Sequence, residues 1–181
     1  MLRYVNTALT VALIFGGGLC AQTRKPPVGE QLYFSEDDPA GKLRNPEPLP
    51  PEVLKVLLQQ KDVRDELPLA SPSEQASPAQ LFHASRVHLS QLKEIDWVVT
   101  GVGPMSGADN TWYWIVRSQE GGPTVVCFTG GNSLLLLNSR TNGFRDVESD
   151  WSSAAETETT IYHFDGTHYR ELKTIRKNLA H

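Results

Sequence analysis

Residues 142–173, NGFRDVESDWSSAAETETTIYHFDGTHYRELK, leave the chain little choice of local structure. Asn142-Gly143 and Asp165-Gly166 are dipeptides that type I′ hairpin turns require, because both central residues must take positive φ. The flanking runs are rich in Thr, Ile, Tyr, Phe and Val, which suit a pleated, half-buried surface. A three-stranded antiparallel meander follows. If Asp165-Gly166 forms a two-residue turn, Tyr162 faces Tyr169, His163 faces His168, Thr160 faces Glu171 and Glu158 faces Lys173. If Trp151 to Ala155 form the preceding loop, Phe144 faces Tyr162, Glu148 faces Glu158 and Asp150 faces Glu156. Residues two apart share a face. One face is therefore expected to be aromatic at one end (Phe144, Tyr162, Phe164, Tyr169) and acidic at the other (Asp146, Glu148, Asp150, Glu156, Glu158). Val147, Trp151, Ile161 and Leu172 take the opposite face.

The opening residues, MLRYVNTALTVALIFGGGLCA, set the compartment. Arg3 supplies a positive start, Ala8 to Phe15 a short apolar run, and Ala21 a small-residue cleavage edge, so residues 1–21 read as a secretory signal peptide. The apolar run is shorter than the ~20 residues a membrane-spanning helix needs. Cys20 offers an alternative, a lipid-modified N-terminus, although Leu19 stands where such signals carry a small residue. The sequence thus predicts a secreted or periplasmic bacterial protein with no membrane span after cleavage.

Cleavage after Ala21 removes Arg3 alone among the charged residues and leaves 16 basic against 21 acidic side chains. That balance excludes the basic stripe a nucleic-acid partner requires. Cys127 becomes the single cysteine, so the fold stands without an internal disulfide. Its apolar setting, TVVCFTG, marks a small buried hydrophobe rather than a reactive thiol.

Residues 22–50 carry many prolines and few large apolar residues, and read as an extended linker without a core. Residues 51–67 follow as an amphipathic helix: Pro51 at the first position, Glu52 in the first turn, and Val53, Leu54, Leu57 and Leu58 along one stripe. Leu69 to Gln80 is a Ser/Pro/Ala-rich loop. Residues 81–176 then carry short β runs at Ala84–Leu89, Ile95–Thr100, Trp112–Arg117, Thr124–Thr129 and Leu134–Leu137, separated by glycine-rich turns. With the meander this makes about eight short antiparallel strands. The expected fold is mainly β (α+β), a curled sheet, sandwich or blade-like arrangement with one N-terminal amphipathic helix.

Few residues carry chemistry. His163 and His168, side by side in the expected register, supply only two of the four ligands a structural zinc site needs, and no HExxH or CxxC accompanies them. Neither metal nor cofactor is implied. Gly101 to Gly107, GVGPMSG, lacks the Gly-Lys-Ser/Thr ending of a phosphate loop and precedes a strand; Ser106 lacks the spacing of a nucleophile elbow. Trp112 and Trp114 share a strand face and could stack on sugar rings, but aromatics on both sides of the strand fit a central strand covered on both faces. Asp146, Glu148 and Asp150 form an acidic row that could dock a basic partner. No D-x-D-x-D-G loop is present to make it a calcium site.

Four stretches, Arg86 to Val99 (RVHLSQLKEIDWVV), Gly107-Ala108-Asp109-Asn110 with Trp114, Asn142 to Glu148 and Tyr162 to Tyr169 (YHFDGTHY), resemble exported bacterial proteins with strand repeats of the FG-GAP or VCBS kind. The resemblance covers about half the chain and implies an exported β-domain with no assigned reaction. The acidic turn that holds a cation in such modules is replaced here by Ser90 to Glu94, so calcium binding is not implied. The functional expectation is a non-catalytic binding or interaction module for a protein or glycan partner of the cell envelope. Its candidate binding residues are Asp109, Asn110, Trp112, Trp114, Asp146, Glu148 and Asp150. Two alternatives stand beside it: a small hydrolase assembled from Asp109, Asp146, His163 and His168, or a secreted inhibitor docking a cationic enzyme on the acidic strand.

Overall fold

A computed structural model describes residues 29–38, 41–44, 46–91, 94–107 and 110–179. The expected signal peptide, Cys20 and Asp109 lie outside the described residues. The protein is mainly β: among the described residues nine strands form two antiparallel sheets that do not close into a barrel. One sheet has the order β1-β6-β7-β8-β9, built from Tyr33–Phe34, Ser133–Thr141, Phe144–Ser152, Glu156–Phe164 and Tyr169–Asn178. The other has the order β2-β3-β4-β5, from Phe82–Val87, Asp96–Gly101, Thr111–Arg117 and Thr124–Gly131.

Side-chain alternation explains how the layers stack. Leu134, Leu136, Val147 and Phe164 of the first sheet meet Val98, Tyr113, Ile115 and Val126 of the second in one core. The opposite face of the second sheet carries Ala84, Trp97, Val99, Trp114 and Val116, which pack under Val53, Leu57 and Val63 of the helical segment. The architecture is helices, sheet, sheet. Both faces of β4 are therefore buried, as its aromatic run requires.

The expected helix over 51–67 is broken into α1 (Pro51–Leu57) and α2 (Lys61–Glu66). A continuous helix would carry the Val53/Leu57 stripe on to Gln60, Lys61 and Arg64, and turn Val63 away from the sheet. The break re-phases the backbone so that Val63 is fully buried. A third short helix, α3 (Pro72–Ala76), begins with a capping box between Ser71 and Glu74.

Of residues 22–50, expected as a coreless linker, the described ones form instead a strap across the sandwich. Phe34 is fully buried and pairs with Leu134. The Gln31 side chain donates to the carbonyls of Tyr33 and Gly41 at 2.8 Å and accepts from the Arg44 amide. Glu30 places its carboxylate inside, with Oε1 3.2 Å from His88 Nδ1 and Oε2 4.0 Å from the buried Arg145 guanidinium. Proline content hid an anchored segment.

The meander forms, with one turn as expected and two registers corrected. Asn142 (φ 51°) and Gly143 (φ 83°) make a two-residue turn closed by Thr141 opposite Phe144. The second turn spans four residues, because Asp165 Oδ1 accepts from the Thr167 and His168 amides, each at 2.8 Å, and folds the loop around itself. His163 consequently faces Arg170 rather than His168, and Tyr162 faces Glu171. Between β7 and β8, Val147 faces Tyr162, Glu148 faces Ile161 and Asp150 faces Thr159. This differs from the expected register by three residues, an odd number, so Asp146, Glu148 and Asp150 of β7 move to the face opposite Tyr162. The expected acid-against-acid pairs do not occur.

Asp96 is buried at the start of β3, its two oxygens accepting from the amides of Leu89 (3.1 Å) and Ser118 (3.0 Å). Burial pushes its carboxyl up to about 6 against the donated hydrogen bonds. The folded state thus holds this proton more tightly than the unfolded chain. The stabilisation is complete below pH ~4, falls through the window between ~4 and ~6, and is absent above, an effect of about 3 kcal/mol. Asp96→Asn, measured by urea unfolding at several pH values, should be most inferior to the native protein at the acidic end, with the gap narrowing towards neutrality. A gap independent of pH would show that Asp96 does not titrate in this window.

Candidate functional site

A concavity of about 530 Å³ opens between the strap and the connection from β3 to β4. Glu36 and Asp37 form one lip; Gly101, Gly103, Ser106, Gly107 and Asn110 form the other. The glycines build this wall from backbone. Gly101 lies so close to the 3-10 turn at Gly103–Met105 that a Cβ would sit 1.9 Å from the Met105 carbonyl oxygen. Gly103 takes φ 59°, a conformation L side chains rarely adopt. Met105 is fully buried under the turn and pins it.

The lining is rich in acceptors. The Asn110 side-chain oxygen is buried and among the described residues has no hydrogen-bond partner, and it rests against Gly107, where a Cβ would meet it at 2.1 Å. Asp37 Oδ2 accepts from Asn132 Nδ2 at 3.3 Å. Beneath the lip, burial raises the hydroxyl of Tyr113, and the carboxylates of Glu36 and Asp37 push it the same way. This end of the sandwich is electronegative.

Of the sequence candidates, Asn110 lies in this cleft; Asp109 is outside the described residues. Trp114 is fully buried beneath the helices, with its indole N–H 2.7 Å from Asp62 Oδ2 and its ring 5.4 Å from Phe128. Trp112 packs edge-on against Trp114 and Phe128. Trp114 is thus sealed in the helix–sheet layer, and Trp112 is half-buried against it. The acidic strand is also committed to the fold. Asp146 is 3% exposed, with Oδ2 3.8 Å from His163 Nε2 and Oδ1 without a partner. Asp150 accepts from Thr159 Oγ1 and Ser133 Oγ. Burial, then the neighbouring Asp150 charge, raises the Glu148 carboxyl.

The structure joins Asp146 to His163 but leaves His168 in the β8–β9 turn. Among the described residues no hydroxyl or thiol hydrogen-bonds to His163, and no group of three His, Cys, Asp or Glu side chains is placed to hold a metal. Burial pushes the Cys127 thiol up to about 12, which makes it a poor nucleophile. Glu36 and Asp37 were missed because SEDD, residues 35–38, sits in the proline-rich stretch that reads as linker.

The fold and cleft define an antiparallel β-sandwich with helices over one sheet and an acceptor-lined recess at one end. No family model matches the chain, and no curated protein or solved structure matches it significantly.

Proposed function

We propose that the protein is an exported, non-catalytic interaction module whose cleft holds a cationic group of a protein partner in the cell envelope. One observation carries the reading: two carboxylates, Glu36 and Asp37, stand across a recess from a buried amide oxygen, Asn110 Oδ1, that has no hydrogen-bond partner among the described residues. An acceptor sealed from water without a donor is costly, and an ammonium or guanidinium entering the recess supplies donors to all three groups. The bare-backbone wall leaves room for such a side chain. Export rests on the pattern of the first 21 residues, and no helix among the described residues is long and apolar enough to cross a membrane.

The test is capture of a partner from an envelope extract by the native chain and by paired variants. Glu36→Gln with Asp37→Asn should reduce capture about tenfold or more, because charge-assisted hydrogen bonds are lost, and raising salt should weaken native capture. If Glu148→Gln with Asp150→Asn reduced capture while the cleft pair did not, the dock would be the sheet face and the cleft reading would fail.

A further inference from the structure

A sandwich of two open sheets has four edges, and an exposed edge invites pairing with another chain unless it is blunted. Three edges here are blunted. β1 is two residues long. β2 is met by the strap, where Glu47 bridges to Ala84 and its carboxylate pairs with Arg86 at 2.6 Å. β9 carries Arg170, Lys173, Arg176 and Lys177. The fourth, β5, differs: Thr124–Gly131 (TVVCFTGG) has no charged residue, and among the described residues no backbone group of Val125 to Phe128 hydrogen-bonds outside the pairing with β4. Its one irregularity is the register shift that sets Val126 between the pairs made by Val125 and Cys127, and bulges of this sort re-aim a backbone beside functional sites.

Beside this edge lies a second cavity, about 320 Å³, distinct from the acidic cleft. Four consecutive residues, Val125 to Phe128, line it. Val126 and Cys127 pack into the core between the sheets, while Val125 and Phe128 lie on the helix side, so the wall that all four share is the backbone edge. The floor is apolar: Val126 and Cys127 are buried, while Phe128 remains 43% exposed. The far wall supplies donors. Arg170 gives Nε to Asp165 at 2.9 Å, and its terminal nitrogens make no hydrogen bond among the described residues. His168 stands beside it, and Tyr162 places a half-buried hydroxyl 3.0 Å from Thr129 Oγ1.

These features choose between ligand classes. A purely apolar anion would satisfy Phe128 and Arg170 but would cover free N–H and C=O groups of β5 and leave them without partners, which is unfavourable. An extended peptide carries donor and acceptor on every residue and satisfies that edge, as in strand addition. We propose that the free edge of β5 takes up an extended segment of a partner protein as an added strand. An apolar side chain of the segment lies against Phe128, and a following carboxylate meets Arg170 and His168. The site goes beyond the acidic cleft and stands independently of it.

The probe is a panel of acetylated, C-terminally amidated heptapeptides alternating Val and Thr, with a central Phe and a terminal Glu, titrated into the full chain and followed through the backbone amide resonances of Val125 to Phe128. Binding should move those resonances. N-methylation of alternate peptide amides should weaken it about tenfold, a change made in the ligand that cannot disturb the fold. Arg170→Gln should weaken the Glu-ended peptides but leave Gln-ended ones unchanged. Three results would overturn the proposal: no member of the panel binding at about 1 mM, N-methylated peptides binding as well as their parents, or dodecanoate displacing the same resonances with equal affinity to the peptides. The last would make the cavity an apolar anion site.

Discussion

Trp114→Ala should destabilise the protein by about 3–5 kcal/mol, the range for removing a large aromatic from a core. Trp114 is the largest fully buried side chain among the described residues. It is held by Phe82 edge-on at 5.5 Å, by Phe128 stacked at 5.4 Å, and by Asp62 at the indole nitrogen. Alanine leaves a cavity between sheet and helices and strips Asp62 of a hydrogen-bond donor. Because the two short helices hold to the sheet through this layer, the variant should also lose helical signal before strand signal on heating. Chemical unfolding followed by far-ultraviolet circular dichroism measures both. A loss below about 1 kcal/mol would mean that the helices are not seated on Trp114.

Arg145→Met should cost a comparable 3–5 kcal/mol, for a different reason. The guanidinium is 2% exposed and donates to the carbonyls of His88 (3.2 Å) and Leu137 (3.0 Å) and to Asn138 Oδ1 (3.2 Å), with Glu30 at 4.0 Å. Methionine fills much of the volume but leaves those acceptors, and the Glu30 carboxylate, without a donor. Lysine should recover little, since one ammonium cannot reproduce a planar fork of five donors. Glu30→Gln in the Arg145→Met background should cost less than it does alone, and that coupling in a double-mutant cycle locates the strap's anchor in this pair. Strict additivity would place the anchor elsewhere.

The sequence carried the fold class because its strongest local signals agree with the tertiary arrangement. Asn142-Gly143 forms the expected turn since nothing competes with its backbone preference. Asp165-Gly166 did not, because the Asp165 carboxylate takes two backbone amides and Arg170 and enlarges the loop; side-chain capping overrides a dipeptide rule. That change shifted β9 against β8; it was the shorter loop between β7 and β8 that moved Glu148 and Asp150 to the other face, since register errors of odd length invert a strand. The tryptophan pair of β4 was legible as a strand covered on both sides. The strap was not: its anchors, Glu30 and Phe34, are polar or isolated in sequence, and their burial depends on partners at His88, Arg145 and Leu134, more than fifty residues away. The same blindness concealed half the cleft. Asn110 stood out beside a glycine-rich turn, while Glu36 and Asp37 acquire meaning only once the strap is laid across the β3–β4 connection.

The most direct measurement of the central claim is a titration of the full chain with tetralysine at low salt, read from the side-chain amide resonances of Asn110 and the backbone amides of Gly103 and Gly107. The account predicts that these shift together and saturably, that added salt reverses the shift, and that Glu36→Gln with Asp37→Asn abolishes it. Shifts confined to Glu148, Asp150 and their neighbours on the open sheet, or a response unchanged in the double variant, would contradict it.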